Sequence, residues 1–150
     1  NGIVWGDGWR TISKAADEGR RNTTTLVADG ALTVALAAST TYRIRGRILW
    51  TQDPNPDFKY DWNVSSAITS INGYLGTSSV GGNFPNLAYI SALPGSTSVV
   101  DGGTGALIQA FEFFLVTNGA TTLSFRWAQN TSHANYVYVK AGSYLEYGIA

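Results

Sequence analysis

The sequence predicts an all-β domain, an antiparallel sandwich of the jelly-roll kind carrying a short N-terminal arm. Three observations lead there. The apolar residues alternate with a period of two wherever a period can be found. About eight or nine short strands fit between turn signals, a spacing that suits a sandwich or jelly roll. Charged residues make up only 13% of the chain, whereas Ser, Thr and Gly together number 46, so hydroxyls and turns rather than ion pairs cover the surface.

Taken in chain order, residues 1–10 are Gly- and Trp-rich with no period. Residues 11–21 (TISKAADEGRR) are the one stretch where a helical turn is expected. Short strands fit residues 24–27 and 32–37. The strongest strand signal is residues 41–50 (TYRIRGRILW), with Tyr42, Ile44, Ile48 and Trp50 on one face and Arg43, Arg45 and Arg47 on the other. Residues 57–64 (DFKYDWNV) repeat the alternation. The loop between them, TQDPNP, holds two prolines, and the two strands are expected to pair antiparallel.

Residues 65–82 are the least patterned and are read as long loops around one short strand. Residues 87–92 form a further strand. Residues 106–116 (ALIQAFEFFLV) are apolar on nearly both faces, and their Gly-rich flanks favour a central strand over a buried helix. Asn118-Gly119 then marks a tight hairpin turn into the strand at 121–127. Residues 136–140 and 144–149 complete the set.

At 150 residues the chain makes one domain, divided into an arm and turn at 1–21 and a sandwich at 22–150. Ten basic residues balance ten acidic ones. Nucleic acid and anionic membranes are therefore not expected partners, because phosphate binding rests on unbalanced Lys and Arg. With no cysteine, thiolate metal sites, disulfides and cysteine nucleophiles are excluded. No apolar run is long enough to cross a membrane as a helix, and no basic-then-apolar leader is read at the start.

Candidates for chemistry are few, and no catalytic residue, metal or cofactor is expected. His133 is the single histidine, placed in the polar turn QNTSHAN, and no G-x-S-x-G elbow accompanies it. Glu112, between Phe111 and Phe113, reads as a carboxylate paired with Arg43, Arg45 or Arg126. Asp53 and Asp57 flank Pro54-Asn55-Pro56 and read as an Asx/Pro turn, since the glycine and closing glutamate of a calcium loop are absent. The Gly102-Gly103-Thr104-Gly105 run lacks the Lys of a phosphate loop. Three Asn-x-Ser/Thr triplets, at Asn22, Asn63 and Asn130, are the chance product of a turn-rich sequence.

Binding residues are easier to nominate. Arg43, Arg45 and Arg47 stand about 6–7 Å apart on one strand face. Three like charges need interleaved acids, with Asp57, Asp61 and Glu146 available, or else a subunit contact that uses the planar guanidinium. Trp5 and Trp9 lie outside any period, as anchors on a neighbouring subunit or on the chain's own sandwich. Trp5, Trp9, Arg43, Arg45 and Arg47 are thus the interface candidates. Tyr74, Phe84 and Tyr89, in the loop-rich region 65–105, are candidates for stacking on sugar faces.

Three segments also carry a resemblance: residues 14–25 (KAADEGRRNTTT) with the strand after them, residues 41–62 with TYRIRG and PDFKYDW, and residues 123–145 with LSFRWAQNTS and VKAGSYLEY. Together they resemble small β-sandwich virion structural proteins of tailed bacteriophages, of the head-decoration or tail-associated kind. The resemblance covers about half the chain and excludes residues 65–105. It implies a non-enzymatic virion component with a jelly-roll-like fold, commonly a homotrimer, assembled in the bacterial cytoplasm. Its partners are then copies of itself and the major capsid protein or other virion proteins. The role it favours is a capsid decoration (cement) protein, with a glycan-binding tail fibre or spike domain as the alternative.

Overall fold

The structure is a computed structural model that describes residues 8–53, 55–78, 86–95, 97–100 and 105–150. Among them are twelve strands: β1 (Arg10–Ser13), β2 (Glu18–Arg20), β3 (Val27–Leu36), β4 (Thr41–Gln52), β5 (Phe58–Val64), β6 (Ile68–Thr77), β7 (Asn86–Ile90), β8 (Ser98–Val100), β9 (Gly105–Thr117), β10 (Thr121–Gln129), β11 (Val137–Val139) and β12 (Tyr144–Ile149). They build two antiparallel sheets. The larger runs β1-β12-β4-β9-β6-β7, with β11 and β2 added beside the end of β4, and the smaller runs β3-β10-β5-β8.

Setting aside β2, β11 and the β6–β7 hairpin, eight strands remain. Numbered along the chain, they lie in the order 1-8-3-6 in one sheet and 2-7-4-5 in the other. That interleaving is two nested Greek keys, which is the jelly roll. The β6–β7 hairpin extends the larger sheet beyond β9.

Alternation dictates what the layers bury. The inward residues of β4 and β9, among them Ile44, Ile48, Trp50, Phe111, Phe113 and Leu115, meet Leu32, Phe58, Tyr60, Trp62, Leu123, Phe125 and Trp127 of the smaller sheet. An aromatic seam runs along the midplane: Trp50 stacks on Phe58 at 5.0 Å, Phe58 on Trp127 at 5.8 Å, and Trp62 tilts against Phe111 at 4.7 Å.

Five expectations are corrected. β4 and β5 do not pair: β4 lies between β12 and β9, and β5 between β10 and β8. The TQDPNP loop carries the chain from one sheet to the other, so the apolar faces of the two strands oppose each other, as the Trp50–Phe58 stack records. The Asn118-Gly119 turn is likewise a crossing between layers, from β9 to β10, and neither residue has a positive φ. This corner is tied to the β3–β4 corner by Thr117, whose Oγ1 donates to the Ala37 carbonyl at 2.7 Å, and by Ser39 N–H to the Asn118 carbonyl.

The helical turn expected at 11–21 is instead strands β1 and β2, held by β12 and β11. The two short strands expected at 24–27 and 32–37 become one ten-residue strand, β3, which spans the Asp29-Gly30 step and bulges over residues 29–32 against β10. The one short strand expected among the loops over 65–82 is longer than expected, β6 with ten residues.

Candidate functional site

The outward face of the larger sheet gathers most of the nominated residues. Register lines them up in rungs, because residues paired across antiparallel strands point to the same side. One rung crosses six strands as Thr11, Glu146, Arg45, Glu112, Tyr74 and Tyr89. The rung on one side runs Gly148, Arg43, Phe114 and Asn72, and that on the other runs Ser13, Tyr144, Arg47, Ala110, Gly76 and Leu87. At about 4.8 Å per strand the long rung is about 24 Å wide.

Acids on the flanking strands match two of the arginines. Arg43 Nε donates to Glu112 Oε1 at 2.7 Å, and Arg45 Nε to Glu146 Oε2 at 2.8 Å. Ion pairs this exposed contribute roughly 0–1 kcal/mol each, so they hold the side chains in place more than they hold the fold. Arg47 faces the Tyr144 ring at 5.4 Å. Trp9 lies across this end of the face, with the Arg45 guanidinium 4.3 Å and that of Arg43 5.8 Å from its ring. Gly148 lets the chain before Trp9 pass close, since a Cβ there would sit 3.2 Å from the Gly8 carbonyl oxygen.

The far half of the face is apolar and open. Tyr74 and Tyr89 stand directly opposite each other, 44% and 67% exposed, beside Leu87 at 71% and Phe114 at 44%. Round the end of the sheet, Trp9, Arg43 and Phe114 of this face and Tyr42 and Tyr147 of the inward side wall a groove of about 920 Å³. The face therefore grades from guanidinium and indole at one edge to bare phenol and leucine at the other.

Trp9, Arg43, Arg45, Arg47, Tyr74 and Tyr89 thus share one surface, although the sequence suggested two separate sites. Trp9 docks on its own sandwich. Tyr74 is corrected from a loop to β6, and Tyr89 stands opposite it in β7, in the strand expected at 87–92. Trp5 and Phe84 lie outside the described residues. Phe114 and Leu87 were not nominated. The signal for Phe114 was the apolarity of both faces of residues 106–116, which leaves one hydrophobic side pointing away from the core.

The other candidates are ordinary structural groups. His133 closes its turn: its Nδ1 accepts from Asn135 N–H at 3.0 Å, and its own N–H donates to Gln129 Oε1 at 3.1 Å. Glu112 is engaged by Arg43, one of the partners expected for it. Asp61 pairs with Arg126 at 2.5 Å and Glu146 with Arg45 at 2.8 Å. Asp53 Oδ1 accepts from Asn55 N–H at 3.5 Å, a long Asx-turn contact. Among the described residues no cluster of three His, Cys, Asp or Glu is placed to hold a metal.

No protein-family model matches the chain, and no curated protein matches its sequence. Among solved structures the chain is similar to one from infectious bursal disease virus, Gx strain, with TM-score 0.46 and 13% identity over 94% of this chain and 32% of that one. The VP2 subviral particle of the same virus gives TM-score 0.25 and 9% identity over 93% of this chain and 38% of that one. The chain spans about a third of the length of these proteins. Both come from infectious bursal disease virus rather than from a tailed phage.

Proposed function

We propose that the chain is a structural protein of a virus particle and that the outward face of its larger sheet packs against neighbouring subunits. The observation that carries this is the exposed set Tyr74, Tyr89, Leu87 and Phe114 continuing from the Arg43–Arg45–Trp9 cluster on one sheet face. Aromatic residues and Arg dominate the energetics of protein interfaces, and contiguous exposed apolar surface marks a place where something docks. With β4 about 40 Å long and the rung about 24 Å wide, the face matches the roughly 800 Å² per partner that stable complexes bury. The jelly-roll order supports the reading by analogy of fold, since this architecture recurs in capsid proteins.

Within that reading the role is a decoration (cement) protein of a phage head, a homotrimer that bridges capsid subunits. Its action is mechanical, buried interface resisting the outward pressure of packaged nucleic acid. Particles lacking the chain are expected to open at lower temperature and to lose their resistance to low salt, and adding purified protein to restore both. Arg45→Glu with Tyr89→Ala should abolish that rescue while the circular-dichroism spectrum stays unchanged. Particles equally robust with and without the chain would overturn the cement role.

The Tyr74–Tyr89 pair also favours a second reading, a fibre or spike domain that stacks host glycan on paired phenol rings. Glycan-array binding that Tyr74→Ala weakens, with no rescue of particles, selects this alternative.

A further inference from the structure

On the opposite edge of the molecule, where β1 of the larger sheet meets β3 of the smaller, three titratable side chains converge. Lys14 follows β1 directly and is 6% exposed, and Asp29 in β3 is fully buried. Lys14 Nζ lies 3.0 Å from Asp29 Oδ1, 2.8 Å from Oδ2 and 2.7 Å from Glu18 Oε2. The lysine backbone is pinned as well, its N–H donating to the Ser143 carbonyl at 2.8 Å and its carbonyl accepting from Gly142 N–H at 2.9 Å.

The surroundings suit acyl chemistry at the aspartate. Two donors point at its oxygens: Trp127 Nε1–H at 3.0 Å from Oδ2 and Ala31 N–H at 3.0 Å from Oδ1. Arg20 holds the other Glu18 oxygen at 2.8 Å and lies 3.9 Å over the Trp127 ring, so the glutamate is oriented toward the amine. A buried ion pair costs desolvation on both partners, and joining them covalently removes both charges and expels a water.

We propose that Lys14 and Asp29 condense into an intramolecular isopeptide bond, with Glu18 relaying a proton. One Nζ proton passes along its hydrogen bond to Asp29 Oδ2, and Glu18 takes a second as the amine attacks Cγ of the neutral carboxyl. The charge that builds on the tetrahedral centre is received by the Trp127 and Ala31 donors. A C–N bond forms and a C–O bond breaks. Two of the three ammonium protons leave with one Asp29 oxygen as water, the last of them delivered by Glu18, and no redox partner is needed. Holding the amine within 3.0 Å of both oxygens of the acyl group supplies the effective concentration the condensation requires. The bond staples the two sheets at their edge, independently of what the outward face binds.

Intact-protein mass spectrometry of the folded full chain is the test. The native protein should weigh one water less than its sequence, and tryptic digestion should give a branched peptide joining the Lys14 and Asp29 segments. Lys14→Arg and Glu18→Gln should have their full sequence masses with unchanged circular dichroism. Asp29→Asn should lose ammonia in place of water and arrive at the same product mass as the native chain. A native protein of full sequence mass overturns the proposal. So does water loss that persists in Lys14→Arg, which identifies a succinimide at Asp29-Gly30 instead.

Discussion

Gly46 is enclosed by backbone on the core side of β4. A Cβ there would come within 2.2 Å of the Tyr144 carbonyl oxygen, 2.9 Å of Leu145 Cα and 2.8 Å of the Phe111 ring. Two of these atoms are main chain and cannot swing away. Gly46→Ala should therefore destabilise the fold by about 1–3 kcal/mol, the usual cost of overpacking, read as a lower urea midpoint. Tyr60 makes the complementary point about charge. Burial pushes its phenol above the ordinary value of 10.0, outweighing the opposing hydrogen bonds such as that to Thr77 at 3.2 Å. The folded chain thus holds this proton more tightly than the unfolded one. The stabilisation is fully present below about pH 10 and is lost as pH rises through the folded value. Tyr60→Phe should flatten the alkaline limb of the stability profile, measured by denaturant titration across that range. Neither effect was legible in the sequence, where Gly46 and Tyr60 are simply residues on alternating faces.

Among the elements, legibility followed how cleanly the two faces of a strand differ. β4, with arginines opposite Ile and Trp, and β12 were read nearly to the residue. β6 is legible only as a short strand among loops because ITSINGYLGT breaks its apolar face with Gly73, which fits only as glycine: a Cβ would lie 2.2 Å from the Glu112 carbonyl oxygen. The expected β4–β5 hairpin failed for a different reason. Alternation says which side of a strand is buried, and two strands can share a buried side either by pairing or by facing each other across the core. The Trp50–Phe58 stack, 9° from parallel, is the contact that marks the second arrangement. Phe58→Ala removes a ring at the centre of that seam and should cost about 3–5 kcal/mol, seen as a lower thermal midpoint with the sandwich spectrum retained at low temperature. For the candidate face the sequence offered the right residue types in six of eight positions, but not their union, which depends on β6 and β9 pairing.

Taken whole, the molecule is held by pairings distant in sequence. β4 with β9 joins residues 41–52 to residues 105–117, and β1 with β12 joins the first described strand to the last. A two-layer outcome could be foreseen from period and composition. Strand order could not, because it is chosen by packing between segments far apart along the chain. Such long-range closure is slow, on the order of milliseconds to seconds.

The position of β12 makes this order of events stricter. It fills the slot between β1 and β4, donating and accepting along both. During synthesis that slot stays open until the ribosome releases Ile149, leaving two unsatisfied strand edges on a nascent chain. Deleting residues 144–150 should therefore yield insoluble product rather than a smaller folded domain, as a pelleting assay would report. The larger layer therefore closes only after β12, made later than every other described strand, has emerged.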